Sequence, residues 1–304
     1  MNKNEIFYIR AKLKHDYVYD GIRDAGFGIC IPYRDRNLLL RCMREAWFRL
    51  HLPFRSIWYN PEIRKIKAKT ILLRDPLITP DLLRWVRELH PDARIILEYE
   101  NRAAATIDPD SAKPYITEGW TYDHDDAERY GLRYKTYEIG TPRPGIKKAP
   151  EYDVVYVGRD KGRAEKLFAL QRELEEQGLR TYFHICADRA YLRYKKPFYK
   201  PVLDYEDYLD LFGRSRAVVN IMPEGQRSVT QRDIECYLYG IKCITNSIFI
   251  RETELYDPSR FFILGEDRME DLKTFLESPM APPDAETVRA HDGDTVLNTM
   301  LREN

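Results

Sequence analysis

Cysteine is scarce. There are five in 304 residues, at 30, 42, 186, 236 and 243, an odd number with no paired spacing. Most fall inside apolar runs, where a free thiol acts as a small buried hydrophobe, so a reducing compartment is expected. Long hydrophobic stretches are missing as well. No apolar run approaches the roughly 18 residues that a membrane-spanning helix needs, and the opening MNKNEIFYIRAKLK has no signal-type apolar core. These two absences lead to the expectation of a cytosolic protein, soluble or peripheral to the inner face of the cytoplasmic membrane. Charge of one sign is lacking too: 49 Lys and Arg offset 49 Asp and Glu. A balance at zero gives no sign of wholesale nucleic-acid binding.

The balance conceals a local excess. From Arg34 to Lys69 there are ten basic residues against Asp35, Glu45 and Glu62, a surplus of seven positive charges. Within it, residues 37–54 place Leu39, Leu40, Met43, Trp47 and Leu50 at helical spacing, flanked by Arg41, Arg44 and Arg49. One reading is a helix lying on an anionic bilayer, with Trp47, Phe48 and Phe54 at the headgroup boundary. The other is a domain helix whose apolar stripe packs on a sheet while its arginines are solvated.

Strand-like and helix-like stretches alternate along the chain, and its length suits two domains. In the first half, 5–9, 27–31, 70–73 and 94–99 read as short buried strands. Helical patterns lie between them at 16–25, 36–50 and 79–90, the last with Thr79 as N-cap and Pro80 at its first position. Residues 118–131 give a further strand leading into a helix capped by Asp123. Residues 140–153 hold three prolines and two glycines, a composition that suits a linker. The strands resume at 153–157, 180–186, 217–222 and 242–245, with helices at 164–177 and 205–215 and a basic, Tyr-rich crossing at 189–204. Strands alternating with helices imply parallel sheets, so the expected fold class is α/β with two Rossmann-like, doubly wound domains. The only repetition is of architecture.

The stretch PEGQRSVTQRDIECYLYGIKCITN (223–246) carries the densest set of polar groups. Ile234, Tyr237, Leu238 and Ile241 mark the buried face of a helix. Ser228 with Gln231 fits a capping box, which starts the helix near Val229, and Gly240 ends it. The polar cluster then lies at the C-terminal end of a parallel strand and at a helix N-terminus. Open α/β sheets bind ligands at that edge, and the free N–H groups and helix dipole there favour phosphate. Arg227 and Arg232 add positive charge, and Glu235 is placed to accept from sugar hydroxyls. A second basic loop, VGRDKGR (157–163), matches neither a dinucleotide fingerprint nor a Walker loop. Gly158 and Gly162 permit close backbone approach there, while Arg159, Lys161 and Arg163 supply phosphate donors. The bland alternative for the first stretch is a solvated helix start with Arg232 and Glu235 as a surface pair, and for the second a tight turn with solvated charges.

Together these segments resemble the donor half of bacterial glycosyltransferases of GT-B architecture that build lipopolysaccharide core, O-antigen or capsule. The resemblance rests on YDVVYVGRDKGR, on the run from Gly225 to Glu235 followed by Lys242 to Asn246, and on LYDPSRFFIL. In the first half it rests on ILEYEN (96–101) and WTYDHDDAERYGLRY (120–134), where Tyr122 stands in place of the usual Phe. It implies two domains facing a cleft, an acceptor-side domain over 1–145 and a donor domain over 146–304, with residues 294–304 crossing back to the first. It implies a nucleotide-sugar donor bound by Gly158, Arg159, Lys161, Arg163, Gly225, Gln226, Arg227, Ser228, Thr230, Arg232 and Glu235. Of these, Glu235 would take the ribose, while the 158–163 loop, Arg227 and Arg232 would take the diphosphate. The acceptor would be a glycan or a lipid-linked sugar, and no cofactor beyond the nucleotide sugar is implied.

Sugar transfer needs electrostatic stabilisation of the leaving group, a role for Arg232. An inverting enzyme also needs a general base, for which Asp123 and His15 are candidates; for each the plain alternative is a helix cap or a surface loop residue. The run DHDD (123–126) invites a metal reading, but such sites belong to single-domain glycosyltransferases, so metal-independent transfer is expected. A non-catalytic nucleotide-sugar-binding protein of the same fold is the alternative, and a phosphate-responsive regulator is disfavoured by the second domain.

Overall fold

The structure is a computed structural model and describes residues 5–11, 27–35, 37–139, 145–189, 192, 194, 196–222 and 226–302. The candidates His15 and Gly225, and the helix expected at 16–25, lie outside the described residues. The chain divides into two compact units, Met1–Thr136 with Val296–Asn304, and Tyr137–Thr295.

In the first unit, β1 (Ile6–Ile9), β2 (Gly28–Cys30), β3 (Thr70–Arg74), β4 (Arg94–Tyr99), β5 (Glu118–Thr121) and β6 (Arg133–Tyr134) form one parallel sheet. Its order is β2-β1-β3-β4-β5-β6. The strands read as unbroken apolar runs because both faces are covered. One face, with Ile9, Ile71, Leu73, Ile95 and Leu97, packs under α1 (Leu38–Arg49) and α2 (Pro80–Leu89). The opposite face, with Tyr8, Leu72, Ile96 and Trp120, receives Leu297 and Met300 from the helix Gly293–Leu301. Thr79 caps α2 through Leu82 N–H, with Pro80 at the first position as the sequence predicts.

The second unit repeats the winding. Here β7 (Tyr152–Arg159), β8 (Thr181–Cys186), β9 (Ser215–Asn220), β10 (Lys242–Thr245) and β11 (Phe261–Ile263) are parallel and run β11-β10-β9-β7-β8. Numbered within its own unit, the first sheet has the order 2-1-3-4-5-6 and the second 2-1-3-4-5, which puts the topological switch between β1 and β3 and again between β7 and β9. The doubly wound α/β expectation therefore holds in both halves. The two strands it left unassigned, β6 and β11, span only two and three residues, too short to show a period.

Two local expectations are corrected. The helix after β9 is α6 (Gln231–Tyr239), following α3 (His124–Tyr130), α4 (Ala164–Glu176) and α5 (Tyr205–Gly213). Its capping box is Thr230 with Asp233, not Ser228 with Gln231, and Gly240 closes it at φ 63°. In α1 the stripe splits: Leu40, Trp47 and Phe48 pack inward, while Leu39, Met43 and Leu50 face solvent. Arg44 takes the inward position instead. Its guanidinium lies 4.0 Å from the Tyr33 ring centroid, and its Nε donates to Asp35 at 3.3 Å, so cation–π and ionic partners replace the water it gives up.

Candidate functional site

The second sheet's carboxyl edge bears a depression of about 680 Å³. Lys161, Arg163, Lys166, Gln226, Arg227 and Glu252 line it together with the apolar Ile221, Met222, Ile248 and Phe249. The backbone makes this shape possible at the turn after β7, where Lys161 and Gly162 adopt φ of 47° and 75°. Gly158 serves a different purpose. A Cβ there would sit 2.7 Å from the Tyr156 hydroxyl, which donates to Arg159 O at 3.2 Å and accepts from Arg163.

Arg163 ties the turn together, donating to Asp160 O, Arg159 O and Ile221 O, the last just beyond β9. Asp160 accepts from Ala164 N–H at 2.7 Å and from the Tyr199 hydroxyl at 2.5 Å. Burial alone would raise its pKa, but these donors and Arg163 N–H hold it below the usual carboxylate range. Lys161 keeps its backbone N–H on Asp188 at 2.9 Å. Its ammonium is held below the ordinary lysine value by partial burial first, then by Arg163, Arg159 and Arg232, with Asp188 opposing them. Such an excess of cations favours an anion beside it.

Arg232 lies at the switch point itself, donating to Val219 O at 3.2 Å and to Val157 O. Its Nε has no hydrogen-bond partner, and its guanidinium stands 5.6 Å from the Tyr156 ring centroid. It is not among the residues lining the depression, and its two hydrogen bonds pin β7 against β9. Arg159, which is exposed, donates through Nη1 to Ala187 O and Asp188 O at 3.2 and 2.5 Å.

Glu235 departs furthest from expectation. Its side chain is buried, 1 % exposed, and its oxygens accept from Tyr205 at 2.6 Å, Tyr208 at 2.5 Å and Gln231 at 2.7 Å. Burial raises its pKa, and the three hydrogen bonds oppose that rise. In this arrangement no carboxylate oxygen is left open for a ribose hydroxyl. Ser228 is buried and accepts from Gln226 at 2.7 Å, while Thr230 is spent on the α6 cap with Asp233 and Asn220. Lys161, Arg163, Gln226 and Arg227 thus come together, and Arg159, Ser228, Thr230, Arg232 and Glu235 build the frame. Lys166 and Phe249 were missed. Lys166 sits one turn into α4, and Phe249 follows β10 in a stretch with no polar motif to draw attention to it.

In the first unit Asp123 is wholly buried and caps α3 through Asp126 N–H at 3.0 Å. Burial first, then Asp126, push its pKa up; its second oxygen has no hydrogen bond and lies 3.5 Å from Arg102 Nε. Without exposed surface it is a cap, and the expected base role is corrected. Asp126 likewise accepts from Ala103 N–H at 2.6 Å. Among the described residues no group of three or more His, Cys, Asp or Glu could hold a metal ion. The acid that sequence reasoning overlooked is Asp75, directly after β3 at the first switch point. Burial raises its pKa to about 6 against hydrogen bonds from Glu100 and Asn101.

No family model matches the sequence, and no curated protein matches it at a significant level. Solved structures do. Anabaena HepE in complex with UDP and glucose is similar at TM-score 0.53 and 11 % identity, over 97 % of this chain and 97 % of that one. The apo lipopolysaccharide outer core galactosyltransferase WaaB is similar at TM-score 0.46 and 12 % identity, over 95 % and 91 %. A Listeria monocytogenes protein described as a UDP-N-acetylglucosamine 2-epimerase reaches TM-score 0.48 at 8 % identity, over 98 % and 95 %. The likeness to HepE, with the two sheets of identical winding, shows a two-domain α/β fold of GT-B type.

Proposed function

We propose that the protein is a nucleotide-sugar-dependent glycosyltransferase that passes a sugar to a glycan or lipid-linked acceptor in cell-surface polysaccharide assembly. The depression in the second unit carries the reading. A nucleoside diphosphate offers anionic phosphates and the flat face of a base, and the depression is lined by the cations Lys161, Arg163, Lys166 and Arg227 together with Phe249, Ile248 and Met222. HepE, of similar fold, was solved with UDP and glucose, which supports a nucleotide sugar as the class of ligand.

The chemistry follows from charge. As the bond from sugar to diphosphate breaks, negative charge grows on the leaving group, and Lys161, Arg163 and Lys166 beside the first turn of α4 would stabilise it. If the outcome is inverting, the acceptor hydroxyl must also lose a proton, and Asp75 and Asp123 are both buried, so neither is assigned that role. Attachment to anionic lipid belongs to the same reading. Leu38, Leu39, Met43, Leu50 and Phe54 are 49–78 % exposed on and beside α1, within the basic segment 34–69. Among the described residues no helix is long and apolar enough to cross a membrane.

The test is a panel of UDP-, GDP-, CMP- and dTDP-sugars with nucleotide release followed over time. Release that depends on added acceptor, and that falls in Lys161→Ala with Lys166→Ala, is expected. Tight binding of one nucleotide with no turnover on any acceptor would identify a binding protein, and binding of none would overturn the reading.

A further inference from the structure

A second depression, of about 550 Å³, lies in the first unit between the outer face of α2 and the segment that follows α1. Asp81, Arg84, Trp85 and Glu88 supply one wall at helical spacing, and His51, Phe54, Arg55 and Tyr59 contribute to the other. None of its lining residues comes from the turns directly after the strands, and neither Asp75 nor Asp123 lines it. Its volume is in the range of ligand clefts.

Three observations describe what would fit. The first is aromatic surface. Trp85 and Tyr59 stand 5.0 Å apart at 51°, and Phe54 is 78 % exposed at the rim. Arg64 lies 5.0 Å from the Trp85 centroid but does not line the depression, so other Trp85 surface forms the wall. The second is charge that cancels. Asp81 is shared by Arg55 and Arg84, the latter at 3.2 Å, and Glu88 pairs with Arg84 at 3.9 Å. The two carboxylates and two guanidiniums that line it sum to no net charge, and they present many hydrogen-bonding atoms.

The third is backbone strain. His51 and Phe54, both non-glycine and both lining residues, hold φ of 53° and 57°, a conformation that costs each about 1–3 kcal/mol and recurs at ligand clamps. The strained loop is held rather than loose. Trp47 Nε1 donates to Pro53 O at 2.9 Å, Leu52 N–H to Trp47 O at 3.1 Å, and Arg55 to Phe48 O at 3.3 Å. The strain keeps Phe54 out of the core and on the rim.

We infer that this depression binds a neutral glycan chain. The apolar C–H faces of sugar rings would pack on Phe54 and Trp85, with buried Tyr59 backing Trp85, and ring hydroxyls would exchange hydrogen bonds with Asp81, Arg84, Glu88 and His51. The inference rests on the glycosyltransferase reading for its purpose, which is to hold a growing or acceptor polysaccharide away from the site of transfer and raise its local concentration. Binding itself is independent of the donor.

The test is titration of the full chain, without nucleotide, by neutral oligosaccharides (maltoheptaose, cellohexaose, laminarihexaose and chitohexaose), read by tryptophan fluorescence and calorimetry. At least one should bind, and Phe54→Ala and Glu88→Gln should each weaken it by about tenfold or more. Trp85→Ala should abolish the fluorescence response, and should it fail to fold, the other two variants decide. Nucleotide affinity should be unchanged in all of them. No binding of any neutral chain at millimolar concentration overturns the inference, as does binding that neither Phe54→Ala nor Glu88→Gln alters. A preference for sulfated over neutral oligosaccharides also overturns it. Nucleotide binding measured on the same samples reports separately on the proposed function.

Discussion

At the scale of single residues, a carboxylate already held by two tyrosine hydroxyls and an amide responds to mutation as part of the core. Glu235→Ala would leave the hydroxyls of Tyr205 and Tyr208 without their acceptor, and an unpaired buried donor costs about 1–3 kcal/mol. The expected loss is about 2–4 kcal/mol in urea unfolding of the second unit, with any weakening of nucleotide binding following from it. Equal stability of variant and wild type would contradict the burial described. Glu98 offers a pH-dependent case. It is fully buried, and although burial would raise its pKa, Arg74 and Lys135 bring it down to about 2 from 4.5. Because the folded value is the lower one, this network's stability is complete above the unfolded value and drains away as pH falls from 4.5 toward 2. Wild type should therefore lose Tm across that window more steeply than Glu98→Gln, whatever the variant's absolute Tm. Parallel slopes would place the acid sensitivity elsewhere.

Elements show what a sequence can and cannot disclose. The main strands were legible because β3, β4, β7 and β9 are apolar on both faces, and α2 because Thr79 and Pro80 mark its start. The orientation of α1 was not. Its pattern allows either Leu39, Met43 and Leu50 or Leu40, Trp47 and Phe48 to face inward, and the choice falls to Arg44, which Tyr33 and Asp35 make tolerable in the interior. Those partners are distant in pattern and invisible to periodicity. Glu235 was misread for a similar reason, since Tyr205 and Tyr208 reach it from α5. For α6 the expected cap was Ser228 with Gln231, and the short acid Asp233, reaching back to Thr230, makes Thr230 the cap instead. The α1 orientation sharpens the lipid test. Replacing Leu39, Met43 and Leu50 by Gln should leave stability within about 0.5 kcal/mol, as exposed positions do. The same change should reduce flotation with anionic liposomes at low salt. Arg41→Gln with Arg49→Gln should also weaken flotation, and more so as salt screens the remaining charge. Arg44→Gln belongs to another class and should destabilise the first unit. Flotation indifferent to lipid charge, or absent at low salt, would remove the membrane from the reading.

On the scale of the whole molecule, the chain leaves the first unit at Thr136 and returns to it at Val296, so its last residues complete a core laid down by its first. Leu297 and Met300 are 4 % and 1 % exposed against Tyr8, Leu72, Ile96 and Trp120. Arg94 fastens the end of the helix by donating to Met300 O and Leu301 O at 3.0 and 3.1 Å while pairing with Glu118. A Rossmann-like unit needs both faces of its sheet covered, and here one cover is supplied from the far end of the sequence. Ending the chain after Thr295 should therefore uncover apolar surface in the first unit alone. Burial of two such side chains is worth about 1.5–3 kcal/mol each, so a loss of about 3–6 kcal/mol is expected, a large part of a domain's stability. Scanning calorimetry should then show an early transition for the first unit, with the second unit's transition kept. Nucleotide binding by the depression after β7 should persist below that early transition, because every residue lining it lies in the second unit. A truncated chain that melts as wild type does would mean that Leu297 and Met300 contribute no net stability, and supplying residues 296–304 as a peptide should restore the early transition only if they do.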